Sequence, residues 1–483
     1  MTDAPRFSID EVRCYEWPFT LRLPFRFGVI TVTEGRQAVV RLRVRLDDGR
    51  EGWGVAAESL AAKWFDKDPR WSDDDNVEQL RRALELAIGF YTADGAPRTA
   101  FGHFAETYAA QLAMAAAEGL NPLVASFGPA LLDRAALDAL CRLAGVSFYA
   151  AMRRNLPGIA PHPIALDLVS FDLARLLSEL RPADSIALRH TVGLVDPISA
   201  GEVPPDGRVT DGLPQTLAEV VAAYRPRHFK LKVGGHVGED VARLAAIATV
   251  LDRGDEPYAA TLDGNEQYAD AEEVLALWEA MEQQPALARL CHSILFIEQP
   301  IKRAAALERS IQPLADRRPV IIDESDGTLD AFPRARDLGY RGVSSKACKG
   351  LYKSVLNLAR CRLWNEAAGA PRYFLSGEDL TTLAGVAVQQ DLALANLLGI
   401  GHVERNGHHY VDGFSGRPGI EAAAFLTAHP DLYHRQDGRV RLKIEDGRLA
   451  IASLGGVGFA VGALPDFAVM TAMPPSRWVP PPR

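Results

Sequence analysis

Residues 228–235 read HFKLKVGG, an apolar and cationic run stopped by two glycines. In a strand, successive side chains point to opposite faces, so Lys230 and Lys232 share one face and Leu231 takes the other. Two ammonium groups side by side repel. One reading is a solvated edge strand, where lysine discourages pairing with other chains. The surrounding segments supply a second reading. SIALRHTVGL and LAEVVAAY precede the lysine strand, and GEDVARLAAIATVL follows it. Then come YAATLDGN with AEEVLALWEAM, ILFIEQP with AAALERSIQPLA, PVIIDES with ARDLG, and GVSSKA with SVLNLARCRLWNEA. YFLSGE, TTLAGVAVQQDLALANLL and GHVE close the series. Repeated strand–helix alternation implies parallel strands joined by crossover helices. Near-continuous apolar runs such as PVII and SILFI suit strands buried on both faces. The stretch from about 185 to 405 has the size of a (β/α)8-type barrel, for which ~250 residues is typical. An open doubly wound sheet is the alternative fold.

Outward from this stretch the style changes. Residues 7–57 alternate like strands, with a hairpin turn at Asp47-Asp48-Gly49. From Asn76 to about Ala151 the apolar spacing becomes helical. The expected organisation is therefore α/β. A small α+β unit takes residues 1–160, a barrel takes 161–404, and a segment at 405–483 returns to strands and turns. Residues 195–214, VDPISAGEVPPDGRVTDGLP, carry four prolines and form a long loop, read either as a lid or as a plain surface insertion.

The composition excludes several function classes. A chain of 483 residues with 48% hydrophobic and 24% charged residues is an ordinary globular protein. The net charge of −9 argues against nucleic acid or an anionic membrane as partner. Cys14, Cys141, Cys291, Cys348 and Cys361 are scattered without a CxxC pair, which offers neither a zinc site nor a disulfide framework. No run approaches the ~20 apolar residues of a membrane span, and MTDAPRFSIDEV lacks the pattern of a signal peptide. The expectation is a cytoplasmic protein that assembles as a homo-oligomer.

Lys232, Asp263, Glu298, Asp323 and Lys346 each stand where an apolar run stops, 31, 35, 25 and 23 residues apart. Each step is about one βα repeat, so successive strands deliver these side chains to one rim. That rim is the C-terminal face, where barrel enzymes keep their active sites. Three carboxylates at one place need a cation, because like charges at a shared site cannot all stay ionised. Hard oxygen ligands point to Mg²⁺, with Mn²⁺ as a substitute. The neighbouring ammonium of Lys230 and a divalent cation would lower the pKa of Lys232 towards neutrality and make it a usable base. Lys230 can also hold an anionic substrate. Such equipment suits removal of a proton next to a carboxylate, where a cation stabilises the enediolate.

These motifs resemble the enolase superfamily, specifically its muconate-lactonizing subgroup. KLKVGG resembles that subgroup's KxK strand, and LDGN, FIEQP and IIDES its three metal-ligand strands. GVSSKACKG resembles the strand of the opposing lysine. LPFRFG and DGREGWG resemble the capping domain, and GGVGFAVGALPD the closing segment. The resemblance makes residues 1–160 a capping domain, 161–404 a modified TIM barrel of (β/α)7β type, and 405–483 a segment packing back on both. Enolase-superfamily sites use a Lys or His base with one or two Mg²⁺ ions, a pairing that comes from the family rather than from these residues. The resemblance implies that Asp263, Glu298 and Asp323 bind the metal. It makes Lys232 and Lys346 acid and base on opposite substrate faces, with Lys230 supporting Lys232 and touching a small carboxylate substrate. Asn265 and Glu324 would back the ligands. YFLSGED has no histidine, which argues against a histidine base.

Two departures stand out. KGLYKS replaces paired glycines, so Lys349 and Lys353 compete with Lys346, which strand phase favours. VERNGHHY lacks the acidic pair that dipeptide epimerases use for a substrate ammonium, and its His408 and His409 read either as substrate contacts or, as adjacent loop histidines more often are, as surface residues. Glu378 and Asp379 line the site or, for Asp379, cap a helix. The implied reaction is racemisation, epimerisation or cycloisomerisation. The alternatives are a dehydratase or other lyase, or a barrel kept for metal and ligand binding alone.

Overall fold

The computed structural model describes residues 4–480. The first strands form an antiparallel meander of β1 (Phe7–Phe27), β2 (Ile30–Leu46) and β3 (Glu51–Ser59). Along β2, Val40, Leu42, Val44 and Leu46 are buried while Arg41, Arg43 and Arg45 take the other face, the period of a half-covered sheet. The β2–β3 turn falls at the expected Asp47-Asp48-Gly49, with Gly49 at φ 85°. A short helix α1 (Ala62–Phe65) leads to α2 (Asp73–Thr92), α3 (Ala100–Ala117) and α4 (Pro122–Ala144). Ser72 and Asp75 make a reciprocal capping box on α2, and Asn121 caps α4 ahead of a first-turn proline. α4 lies so close to β3 that a Cβ on Gly54 would come within 2.0 Å of the Ala135 carbonyl oxygen. Only glycine fits there.

Eight parallel strands follow: β4 (Ser185–Val192), β5 (His228–Lys232), β6 (Ala259–Asp263), β7 (Ile294–Glu298), β8 (Val320–Ile322), β9 (Gly342–Ser345), β10 (Phe374–Gly377) and β11 (His402–Arg405). Each pairs with the next, and β11 pairs with β4, so the sheet closes. The open doubly wound alternative is thereby excluded. The lysine strand β5 lies between β4 and β6, so the solvated-edge reading fails as well. The cap packs on the barrel through Phe101 and Phe104, whose rings lie 5.3 and 5.5 Å from that of Tyr352 on the helix Leu351–Ala368.

The chain then returns. β12 (Tyr433–Gln436) and β13 (Arg439–Leu442) form a hairpin. β14 (Ile444–Glu445) leads to β15 (Arg448–Ala450), which pairs antiparallel with β4. β16 (Thr471–Ala472) adds to the outer edge of β1 in the cap. Beyond it, the Trp478 indole stacks edge-on against Trp71 and donates to the Glu118 carbonyl. Among the described residues no helix is long and apolar enough to cross a membrane.

Candidate active site

Parallel register sets the strand ends level: Lys232 pairs with Asp263, and Asp263 with Glu298. Asp323 and Lys346 follow immediately after β8 and β9. All five phased residues thus reach one rim, and all are buried. The Lys232 ammonium donates to Asp263 Oδ2 at 2.6 Å and to Asn265 Oδ1 at 2.7 Å. Asn265 returns a backbone N–H to Asp263 Oδ1, which it can do because it adopts φ 40° in the turn after β6. On the opposite side Lys346 donates to Asp323 Oδ2 at 2.5 Å and lies 4.2 Å from the Trp64 ring centroid. Glu324 sits behind, accepting from Asn265 Nδ2 and from Lys67 of the cap.

Lys230 is the centre of the charge. Its Nζ is 2.7 Å from Glu298 and Glu378 and 2.9 Å from Asp263 and Glu404. Arg189 pairs with the far side of Glu378, and the Thr191 hydroxyl donates to Glu404. Burial acts to lower the Lys230 pKa, but the four carboxylates carry it well above the ordinary value. Lys346 is raised in the same way, burial being outweighed by Asp323. In both, the carboxylates at hand outweigh burial and the neighbouring ammonium groups.

Asp263, Glu298 and Asp323, the acids expected to bind the metal, stand at the ends of three neighbouring strands. Among the described residues no group of three or more His, Cys, Asp or Glu side chains is arranged to hold a metal ion. The reason is local: Asp263 and Asp323 each turn an oxygen to a lysine. The donor chemistry nonetheless fits a hard divalent cation. Both Glu298 oxygens are buried without a hydrogen-bond donor, since Lys230 approaches off the hydrogen-bonding direction. Burial, Asp263 and Glu378 push its pKa well above the usual range. A buried, donor-free carboxylate between two aspartates is relieved by added positive charge.

Of the three candidate lysines after β9, only Lys346 lines the main cavity. Lys349 lies behind Asp323, donating to Ser344 Oγ at 2.7 Å and standing 3.0 Å from Asp326, while Lys353 is 3.3 Å from Asp326. The cavity has a volume of about 540 Å³ and lies between rim and cap. Lys230, Lys232, Asp263, Asn265 and Lys346 form its floor, and Phe25, Phe27, Leu60 and Trp64 face them from above. The loop 195–214 contributes nothing to this lining. It folds into two 3-10 turns and is tied down through Asp211 to Arg22 and Arg441, which favours the plain insertion over the lid. The surface reading of His408 and His409 is corrected: both are buried in a short helix, Gly407–Tyr410, packed on His190 and away from the cavity. Asp379 caps no helix. Its oxygens accept the backbone N–H groups of Leu380, Thr382 and Asn406.

Several residues that shape the site were not singled out by sequence reasoning. Gln299 accepts the backbone N–H groups of Asp323 and Ser325, fixing the turn after β8. Arg303 donates to the Trp64 and Phe65 carbonyls at 2.9 and 2.7 Å and pairs with Glu266, tying α1 to the rim. Lys67 adds a bond to the Asn265 carbonyl. Glu404, on β11 and left without a role by the sequence, joins the rim acids around Lys230.

The chain is thus a capped, closed parallel barrel with two lysines on β5, acids at the ends of the following strands and an opposing lysine at its C-terminal rim. Residues 213–355 match the family model described as enolase C-terminal domain-like, which bears out the resemblance read from the motifs. No curated protein matches the sequence. Solved structures share the fold. A dipeptide epimerase from Enterococcus faecalis V583, complexed with Mg and the dipeptide L-Leu-L-Tyr, superposes with a TM-score of 0.59 at 15% identity, covering 94% of this chain and 99% of that one. A muconate lactonizing enzyme from Pseudomonas fluorescens, complexed with muconolactone, gives 0.55 at 18% identity over 95% and 97%. A 2-chloromuconate cycloisomerase from Rhodococcus opacus 1CP gives 0.55 at 19% over 95% and 97%.

Proposed function

We propose that the protein is an enzyme that removes a proton alpha to the carboxylate of a small acid, as an isomerase of racemase, epimerase or cycloisomerase type. The observation that carries this reading is the opposition of two lysines across one cavity. Lys232 stands on the Asp263–Asn265 side and Lys346 on the Asp323–Trp64 side. An amine on each face can take a proton from one and return it to the other. Asp263, Glu298 and Asp323 would hold Mg²⁺, which when bound supplies the electrostatic stabilisation that an enediolate requires. Around it, Asn265 orients the Lys232 ammonium, Glu378 and Glu404 fix Lys230, and Gln299 fixes the turn that presents Asp323. The cap covers the floor with Phe25, Phe27, Leu60 and Trp64.

Elimination uses the same equipment with a leaving group on the next carbon, so a lyase remains the second chemistry. The reading as a binding barrel finds no support in the features that prompted it. The long loop lies away from the cavity, and the lysines after β9 serve to hold Asp323 and Asp326. The test is deuterium wash-in at the alpha carbon in Mg²⁺-containing buffer, alongside calorimetric Mg²⁺ titration of the wild type and Glu298→Gln. Exchange that depends on Lys232 and Lys346, with Mg²⁺ affinity lost in Glu298→Gln, is expected. Exchange that survives in Lys232→Ala removes that lysine as a base.

A further inference from the structure

We infer that Arg22 and Asp211 are positioning residues, through which the proline-rich insertion 195–214 straps the cap's β1–β2 hairpin over the lysine floor. The hairpin needs such a hold because its own ladder is broken. β1 and β2 pair at Thr20 and Glu34 and resume at Phe25 and Val32, so Leu21, Arg22, Leu23 and Pro24 stand against the single Thr33. Beyond the break only three pairs remain, Phe25 with Val32, Arg26 with Thr31 and Phe27 with Ile30. That tip carries Phe25 and Phe27 into the cavity wall. A two-stranded ribbon so short does not hold its place in water alone.

Side chains take over where the ladder stops. Arg22 leaves the unpaired stretch and enters the insertion. Its Nε and Nη2 donate to the two carboxylate oxygens of Asp211, the second at 3.0 Å, and Nη1 donates to the Pro214 carbonyl at 3.2 Å. Nη1 also reaches the His409 carbonyl at 2.8 Å, in the turn after β11. One buried guanidinium thus joins cap, insertion and barrel rim. Asp211 is fixed in turn, its carboxylate accepting the Leu213 N–H at 3.0 Å and its carbonyl accepting from Arg441 at 2.7 Å. Burial acts to raise the Asp211 pKa, but Arg22 and the Leu213 N–H hold it below the ordinary value, so the pair stays charged. Just ahead of the insertion, the Leu194 N–H donates to the Arg26 carbonyl at 3.2 Å. At the far end of the tip, Gly28 lies at φ 53° and so near Gln267 that a Cβ would come within 2.5 Å of its Nε2. Gln267 donates to the carbonyl of Asn265, which orients Lys232. The insertion therefore sets the height of the wall above the floor without lining the cavity. The placement of the hairpin stands without the reaction, and its bearing on catalysis rests on the roles proposed for Lys232 and Lys346.

The experiment is amide hydrogen exchange, read by mass spectrometry, on the full chain and on Asp211→Asn, Arg22→Met, Arg22→Lys and the double variant Arg22→Met with Asp211→Asn. The expected result is exchange about tenfold faster over residues 20–32 in Asp211→Asn and Arg22→Met, with β6 and β7 unchanged. Arg22→Lys keeps the charge without the fork and should fall between wild type and Arg22→Met. The double variant should match Arg22→Met, because the two partners of one contact do not add. Acetic anhydride footprinting then reads the floor. Lys232 and Lys346, 6% and 4% exposed, should label several-fold faster in Asp211→Asn, while the exposed Lys302 labels at the wild-type rate. If Arg22→Met unfolds, Asp211→Asn and Arg22→Lys carry the comparison. Unchanged exchange over 20–32, additive effects in the double variant, or an equal rise in β6 and β7 overturns the strap. A loosened hairpin with unaltered labelling of Lys232 and Lys346 overturns the positioning role and leaves proton abstraction standing. Failure of the alpha-proton wash-in counts against the reaction alone, since neither readout here needs a substrate.

Discussion

The floor and the wall of the cavity differ in what holds them. At the floor, Lys230 has four carboxylates within 2.9 Å, and Lys232 and Lys346 each share an aspartate. At the wall, Phe25, Phe27, Leu60 and Trp64 meet the same space with carbon, and the Trp64 ring meets the floor through the cation–π contact with Lys346. Floor residues sit on strand ends whose level is set by the closed ladder. Wall residues come from a hairpin and a single helical turn in another domain. The floor is thus fixed by backbone register and by mutual charge, and loss of one member strands the rest. The wall is fixed by shape, and loss of one member leaves a gap.

The largest effect should come from the paired lysines. Lys232→Ala and Lys346→Ala should each lower alpha-proton exchange by about 10²–10⁴-fold. A loss of only a few-fold in either would make that lysine a bystander and dissolve the two-sided floor. Next is Lys230→Met, which leaves Glu378 and Glu404 buried and without their shared cation. Denaturant unfolding should show a loss of about 3–5 kcal/mol, against less than about 1.5 kcal/mol for the wall substitution Leu60→Met, which conserves volume. Equal losses would erase the contrast.

A third test lies in the cap. His103 is buried, stacks on Phe7 and meets the Phe7 carbonyl through Nε2, and burial lowers its pKa from 6.5 to about 4. The folded state then binds fewer protons than the unfolded chain between these values. Its contribution to stability is complete above pH 6.5 and is lost as pH falls towards 4, about 3 kcal/mol at most. His103→Gln should flatten the pH dependence of unfolding in that window by this amount. The smallest effect is Trp64→Leu, which removes the ring beside the Lys346 ammonium. A cost of about 1 kcal/mol, read as a several-fold fall in exchange with the unfolding midpoint retained, would show the wall touching the floor's chemistry.

The barrel was legible in the sequence because its chemistry is phased. Lys232, Asp263, Glu298, Asp323 and Lys346 all fall where an apolar run ends, and a closed parallel ladder turns that phase into proximity. Contacts across domains carry no such period. Arg303 reaching the carbonyls of α1, and Lys67 reaching Glu324, look from the sequence like two surface cations. The surroundings of Lys230 were not legible for a related reason. The neighbour of Lys230 along the chain is another lysine, whereas its neighbours in space are acids from β6, β7, β10 and β11. His408 and His409 were misread because polarity suggests exposure, while the turn after β11 folds inward onto His190.

The joining of β16 to β1, with Trp478 buttoned against Trp71, gives the chain a particular order of assembly. The domain that begins first is completed last, since its outer sheet edge waits for residues 471–478 to emerge from synthesis. Until then the edge of β1 near Tyr15 presents unpaired backbone groups of the kind that recruit foreign strands. A chain ending before Thr471 therefore leaves this stretch of the β1 edge without its partner strand.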